Sequence, residues 1–267
     1  MLKIGIVGCG GRMGRMLLRQ TLDIEGARLI GGTERPGSGF LGRDLGELAG
    51  SGAVGLTVTD DGPALFTEAD AVIDFTRPEA TLAHADLAAK AGTILVIGTT
   101  GLESPHIEHL RAAAQRTRIV QAPNMSAGVN LLFALTRQVA ATLGIEFDIE
   151  IVEHHHKHKV DAPSGTALGL GQAAAAGRGV DLDAVADRGR DGITGPRVDG
   201  HIGFAVLRGG DVVGDHTVMF AGPGERIELT HKASDRVIYA RGALRAALWA
   251  ADKPNGLYGM TDVLGLG

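Results

Sequence analysis

The chain has 267 residues, of which 44% are hydrophobic and 21% charged, with aromatics at only 4% and 41 glycines. That length suits one large domain or two modest ones, and the composition is that of a soluble globular protein. A net charge of −5 gives nucleic-acid binding no electrostatic support, and no stretch reaches the roughly 18 apolar residues of a membrane span. Cys9 is the single cysteine, so no internal disulfide can form. The first residues, MLKIGIVGCGGRMG, lack the apolar core and cleavage site of a secretory signal, and the cytoplasm is the expected compartment.

In chain order, residues 2–7 form a short apolar run ending in glycines, the pattern of a buried parallel strand. Residues 12–24 predict a helix with Met13, Met16, Leu17 and Thr21 on one face, and 27–33 the next strand. Further strands are expected at 57–58, 71–75, 93–97 and 118–121. Helices are expected at 78–91, with Pro78 at its start, and at 103–116. The rhythm changes after Asn124. A long helix over 127–143 precedes an alternating strand at 148–156 and a helix over 165–176. A polar, Gly-rich stretch, 177–200, leads to three strand-like runs at 201–207, 211–220 and 226–231. Strands in succession without helices between them predict an antiparallel or mixed sheet. A last helix, 235–251, and a short tail are expected to return to the first domain.

The first strand ends in Gly8-Cys9-Gly10-Gly11-Arg12-Met13-Gly14. The spacing departs from strict G-x-G-x-x-G, but its physical logic survives. Glycines allow a tight turn and a close backbone approach to a pyrophosphate, and the helix start adds partial positive charge. Glu34 lies 20 residues after Gly14, at the end of the second strand, where an acid accepts hydrogen bonds from adenosine ribose hydroxyls. Arg35 follows, and a guanidinium there suits a 2′-phosphate. Both NADH and NADPH are therefore expected as cofactors. Gly98, Thr99 and Thr100 follow the strand at 93–97, and Ala122, Pro123, Asn124 and Met125 follow that at 118–121. Both sets sit where open α/β sheets bind ligands. The expected class is α/β. A Rossmann-type doubly wound parallel sheet over 1–126, joined by 237–267, binds the dinucleotide. A C-terminal α+β domain with a mixed or antiparallel sheet, 127–236, binds substrate and mediates oligomerisation.

The densest chemistry lies in EHHHKHKVDAPSGTAL, residues 153–168, with four of the ten histidines within five positions and two lysines among them. Such a set suits an anionic substrate and a proton transfer near neutral pH. On a strand, His154, His156 and His158 share one face and His155 and Lys157 the other, unless a turn follows His156. Ser164 is placed to cap a helix whose first N–H groups, at Gly165 and Thr166, bind a carboxylate. A small dicarboxylate is the expected substrate. No metal is expected, because no cysteine is near and three adjacent histidines cannot all face one ion from a strand. The residues alone leave two alternatives open: another two-domain nicotinamide dehydrogenase, or a non-catalytic NADPH-sensing protein on the same fold.

Seven segments together resemble the dihydrodipicolinate reductase family. They are VGCGGRMGR (7–15), IDFTRPE (73–79), VIGTTG (96–101), APNMSAGVN (122–130), EHHHKHKVDAPSGTAL (153–168), GFAVLRGGDVVGDHTVMF (203–220) and ERIELTHKASDR (225–236). The resemblance spans nearly the whole chain. It implies NAD(P)H-dependent reduction of 4-hydroxy-tetrahydrodipicolinate, by way of dihydrodipicolinate, in lysine and diaminopimelate biosynthesis, by a homotetramer. It implies that His155 is the proton donor, that His156 contacts a substrate carboxylate, and that Lys159 is a second catalytic acid or carboxylate clamp. Gly165 and Thr166 would bind the carboxylate. Gly8 to Met13, Glu34, Arg35, Gly98 to Thr100 and Ala122 to Met125 would bind the cofactor. His154 stands where such reductases are expected to carry a small residue.

Overall fold

The computed structural model describes residues 1–266. The chain divides into two compact units, one of Met1–Ser126 with Val237–Gly267 and one of Ala127–Arg236. Among the described residues, no helix is long and apolar enough to cross a membrane.

The first unit holds strands β1 (Leu2–Val7), β2 (Ala27–Thr33), β3 (Val58–Thr59), β4 (Ala71–Asp74), β5 (Ile94–Ile97) and β6 (Arg118–Gln121). Their helices are α1 (Arg12–Asp23), α2 (Leu45–Ala49), α3 (Gly62–Glu68), α4 (Pro78–Ala91) and α5 (Ser104–Ala113). All the strand pairings are parallel, and the sheet closes with a strand from the far end of the chain, β12 (Gly256–Tyr258), in the order β12-β6-β5-β4-β1-β2-β3. β4 (AVID) and β5 (ILVI) are buried along their whole length, because helices cover both faces. Alternation divides their side chains between two cores. Ile73, Val96 and Val120 pack with Leu17 and Leu18 of α1, while Val72, Leu95 and Ile119 pack with Phe66, Ala85 and Leu110 of α3, α4 and α5.

Two short helices lie outside the expected elements. α2 is five residues capped by Asp44, whose carboxylate accepts from the Gly46 and Glu47 N–H groups, and α3 is seven residues capped by Asp61. Both are too short to show a hydrophobic period, and only their caps signal them. The expected tail is also more ordered than its composition implies. After helix α9 (Val237–Ala250) come β12 (Gly256–Tyr258), which pairs with β6, and α10 (Met260–Leu264). Trp249 meets Tyr258 edge to face at 5.1 Å, which ties α9 to that strand.

The second unit begins with α6 (Ala127–Thr142) and β7 (Asp148–His155), followed by α7 (Gly165–Arg178). The polar stretch then contains α8 (Leu182–Val185) and β8 (Ala186–Asp187), which were not expected there. Its arginines are structural: Arg197 binds Asp148 and Glu150, and Arg190 binds Glu150 and Asp187. Strands β9 (Ile202–Arg208), β10 (Gly214–Gly222) and β11 (Glu225–Ala233) complete a mixed sheet of order β11-β10-β7-β9-β8. β7 runs parallel to β9 and antiparallel to β10. Ile149, Ile151, Ile202, Phe204, Val218 and Phe220 form its core face, packed on α6 and α7 through Leu132, Ala140, Leu170 and Ala174. β10 starts at Gly214 rather than at 211. The preceding residues form a loop whose Val212 and Gly210 carbonyls accept from the His156 and Lys157 N–H groups.

The tightest backbone approach in the first unit is at Gly14, where a Cβ would sit 2.2 Å from the Gly8 carbonyl oxygen. Because that neighbour is backbone, it cannot swing aside. Gly14→Ala is therefore expected to destabilise the unit by about 1–3 kcal/mol and to displace the β1–α1 loop. Thermal denaturation checks this: the melting temperature falls.

Candidate active site

The glycine loop turns at Gly8, whose φ of 65° lies in the left-handed region that favours glycine. α1 then starts after Gly11 without a side-chain cap. A cleft of about 520 Å³ opens at this edge of the sheet, lined by Gly8, Gly11, Glu34, Arg35, Thr76, Arg77 and His84 among others. It therefore brings together the glycine loop and the acid–arginine pair at the end of β2. The Gly10 N–H donates to Glu34 Oε1 at 2.9 Å, so this glycine ties the acid to the loop. Cys9 is fully buried, and burial, then the nearby Glu34, push its thiol up to about 12. Its side chain is a core packing group, and only its backbone faces the loop. Arg12 is exposed and Met13 half-buried.

The other expected cofactor segments end β5 and β6 and do not line this cleft. Gly98 is packed against the Phe75 ring and Thr99 is buried, while Thr100 is exposed. Ala122 and Met125 are buried in the sheet core, with Asn124 half-buried and Pro123 exposed.

Sequence reasoning missed the group that organises these loops. Asp74, fully buried at the end of β4, accepts from the Thr76 N–H (2.8 Å) and from the Thr76 (2.6 Å) and Thr81 (2.9 Å) hydroxyls. His84 Nδ1 lies 2.8 Å from Oδ2, the oxygen that also accepts from Thr81. Burial pushes this carboxyl up, but His84 and the threonine hydroxyls outweigh burial and hold it below the ordinary range. The Asp74 carboxylate thus pins the β4–α4 loop, α4 and Thr99, and two of its partners, Thr76 and His84, are walls of the cleft.

In the second unit the basic segment starts as strand and ends as turn. β7 alternates strictly, so Ile149, Ile151, Glu153 and His155 face the helices. The face is apolar for two residues and then becomes polar at the strand end. His155 therefore shares its face with Glu153, and the strand stops before Lys157, where the Lys159 N–H donates to the His156 carbonyl. His154 points to the opposite face and stays out of the cluster around His155.

Glu153 is 1% exposed and accepts hydrogen bonds on both oxygens. His155 Nδ1 lies 2.6 Å from Oε2, and the Ser164 N–H donates to Oε1 at 3.0 Å. Arg208 completes the set with a fork, Nη1 to Oε2 at 2.7 Å and Nη2 to Oε1 at 2.9 Å. Burial pushes the Glu153 carboxyl up, but the bonds from Arg208, His155 and Ser164 prevail and hold it below the ordinary range. An ionised carboxylate only accepts, so His155 carries its hydrogen on Nδ1 and turns Nε2 to the other side. That side is clear because residue 214 is glycine: a Cβ there would lie 2.9 Å from Nε2. His216 packs edge-on against His155 at 5.0 Å and shares a 3.0 Å hydrogen bond with Ser164 Oγ. Burial, then the nearby His155, push His216 down to about 4, so it is neutral.

Ser164 caps α7 as expected, its Oγ accepting from the Ala167 N–H. The space at the helix start is open, since a side chain on Gly165 would meet nothing within 4 Å. Lys159 is held by its own neighbour. Its ammonium donates to both Asp161 oxygens, at 2.7 and 2.8 Å. His156 is half-buried, with Nε2 3.4 Å from Arg236. Burial, then Arg236, push His156 down, so it offers a hydrogen bond rather than a charge. Glu153, Arg208 and His216 escaped sequence reasoning. For Glu153 the signal was present, an acid two residues before a histidine on a strand.

Two family models match, "Dihydrodipicolinate reductase, N-terminus" over residues 2–125 and "Dihydrodipicolinate reductase, C-terminus" over residues 128–264. The 4-hydroxy-tetrahydrodipicolinate reductase of Cereibacter sphaeroides is 60% identical over 98% of this chain and 98% of its own. That of Rhodopseudomonas palustris is 57% identical over 100% of this chain and 97% of its own. Among solved structures, dipicolinate-bound dihydrodipicolinate reductase from Paenisporosarcina sp. TG-14 superposes with a TM-score of 0.79 at 25% identity, covering 99% of this chain and 100% of that one. With both of its halves matched and its whole length shared with these relatives, the chain belongs to the 4-hydroxy-tetrahydrodipicolinate (dihydrodipicolinate) reductase family of oxidoreductases.

Proposed function

We propose that the protein reduces dihydrodipicolinate, formed by loss of water from 4-hydroxy-tetrahydrodipicolinate, to tetrahydrodipicolinate in lysine and diaminopimelate biosynthesis. The observation that carries this reading is the oriented His155–Glu153 pair beside the open N-terminus of α7. Dipicolinate, the ligand of the Paenisporosarcina enzyme, is a flat ring with two carboxylates. Such a substrate needs two anion-binding groups and one acid.

The cleft beside Gly8, Gly11, Glu34 and Arg35 fits NADPH or NADH, and the reduced nicotinamide supplies the hydride. Arg35 favours the 2′-phosphate and Glu34 the free ribose hydroxyls, so both cofactors are used. Hydride addition to the conjugated ring leaves an electron-rich enamine carbon; His155, entering as the imidazolium with Nδ1–H on Glu153, gives that carbon its Nε2 proton and is left neutral with its hydrogen on Nδ1. Gly165 and Thr166 bind one carboxylate at the helix start. Lys159, with His156 beside it, takes the other. A substrate carboxylate then replaces Asp161 on the Lys159 ammonium, an exchange of one carboxylate for another at the same charge. A cytoplasmic homotetramer is the assembly proposed, with β11, an edge strand exposed over much of its length, among the surfaces it would cover.

Three outcomes test this. With substrate generated in situ by a coupled synthase, His155→Ala and Lys159→Ala are each expected to lower NADPH turnover about a hundred- to ten-thousand-fold. Retention of the rate in both variants rejects the assignment. Gly165→Ala meets no protein atom, so its melting temperature should match the parent while KM for the dicarboxylate rises, as steady-state kinetics and calorimetry read out together. Asp74→Asn removes the charge that pins Thr76 and His84, so its KM for NADPH rises while KM for the dicarboxylate stays unchanged.

A further inference from the structure

Glu153 belongs to no expected set of site residues, yet it touches two parts of the proposed site at once. Its Oε2 meets the imidazole of His155, and its Oε1 receives the N–H of Ser164, the residue that caps α7. Three strands and a helix start converge on it. In the β7–β9 register His155 pairs with Arg208, which places that guanidinium on the carboxylate, and in the β7–β10 register Glu153 faces His216. Arg208 also donates to the Asp161 carbonyl at 2.6 Å, so the same fork reaches the loop that carries Lys159's partner. We propose that Glu153 is a positioning residue that couples the proton donor to the carboxylate-binding start of α7. The proposal rests on the role given to His155 above.

The chemistry demands a carboxylate here. Four donor contacts converge on two oxygens, and only an ionised acid offers acceptor sites on both. A glutamine of the same shape offers one oxygen and turns an N–H₂ toward one pair of donors. Either His155 or Ser164 then loses its partner, together with one arm of the Arg208 fork. Burial makes the choice consequential, because no solvent can replace the lost contact. Glu153 therefore sets two things together: the direction of Nε2 on the acid, and the position of the N–H groups that hold the substrate.

A double-mutant cycle with a kinetic split tests the coupling. Glu153→Gln is expected to lower kcat about 10- to 100-fold, the range for losing an orienting carboxylate behind a functional imidazole. It is also expected to raise KM for the dicarboxylate and leave KM for NADPH unchanged. In a His155→Ala background the same change should lower kcat no further, yet still raise KM. Low-field proton NMR of the wild-type protein labelled with nitrogen-15 histidine reads the contact without relying on a variant that must fold. It should show a far-downfield proton on His155 Nδ1. A drop in kcat for His155→Ala alone, with Glu153→Gln at the parent rate, overturns this proposal and leaves the acid in place. Full activity of His155→Ala overturns the acid assignment and this proposal with it. Equal losses of affinity for NADPH and dicarboxylate in Glu153→Gln, or no downfield resonance in the wild type, also overturn it.

Discussion

The second unit is organised by the burial of one carboxylate at the end of a strand. β7 alternates inward as Ile149, Ile151, Glu153, His155, so a hydrophobic face becomes polar within a single strand. An ionised acid in that position is costly unless every lone pair is met. Arg208, His155 and Ser164 meet them, and in doing so they bring β9, β7 and the start of α7 to one point. The same arrangement that makes the charge tolerable orients the His155 imidazole and the start of α7. Stability and chemistry are satisfied by one set of contacts.

The first unit solves a similar problem at Asp74. There three threonine hydroxyls, a backbone N–H and His84 surround a buried acid at the end of β4. In both units a buried carboxylate stands at the carboxyl end of a strand, where open sheets place their ligands. Neither acid need touch the ligand. Each fixes the loops around it, so the strand ends of both units are built around a fixed negative charge.

Much of this was legible in the sequence. Continuous apolar runs such as ILVI at 94–97 read as buried parallel strands because both faces are covered. The glycine cluster reads as a tight strand-to-helix turn, and Gly14 shows why, since any side chain would strike the Gly8 carbonyl. Ser164, after the run of histidines and lysines, reads as a helix cap and caps α7. What escaped depends on register between distant strands. Arg208 and His216 lie 55 and 52 residues from Glu153 and Ser164, and no local pattern places them there. α2 and α3 escaped because five and seven residues show no period. The sequence places Cys9 in the glycine loop but does not say that its side chain points into the core, because proximity in a loop does not fix side-chain direction. Lys159 was identified, but its bond to Asp161 was not, although the acid stands two residues away.

The most direct test of the account is a crystal structure of the protein with NADPH and dipicolinate bound. The account predicts one carboxylate on the N–H groups of Gly165 and Thr166 and the other on Lys159, with that ammonium released from Asp161. His155 Nε2 would face the ring, its Nδ1 still on Glu153. Dipicolinate bound away from α7, or Lys159 still paired with Asp161 while the ligand is in place, would contradict it.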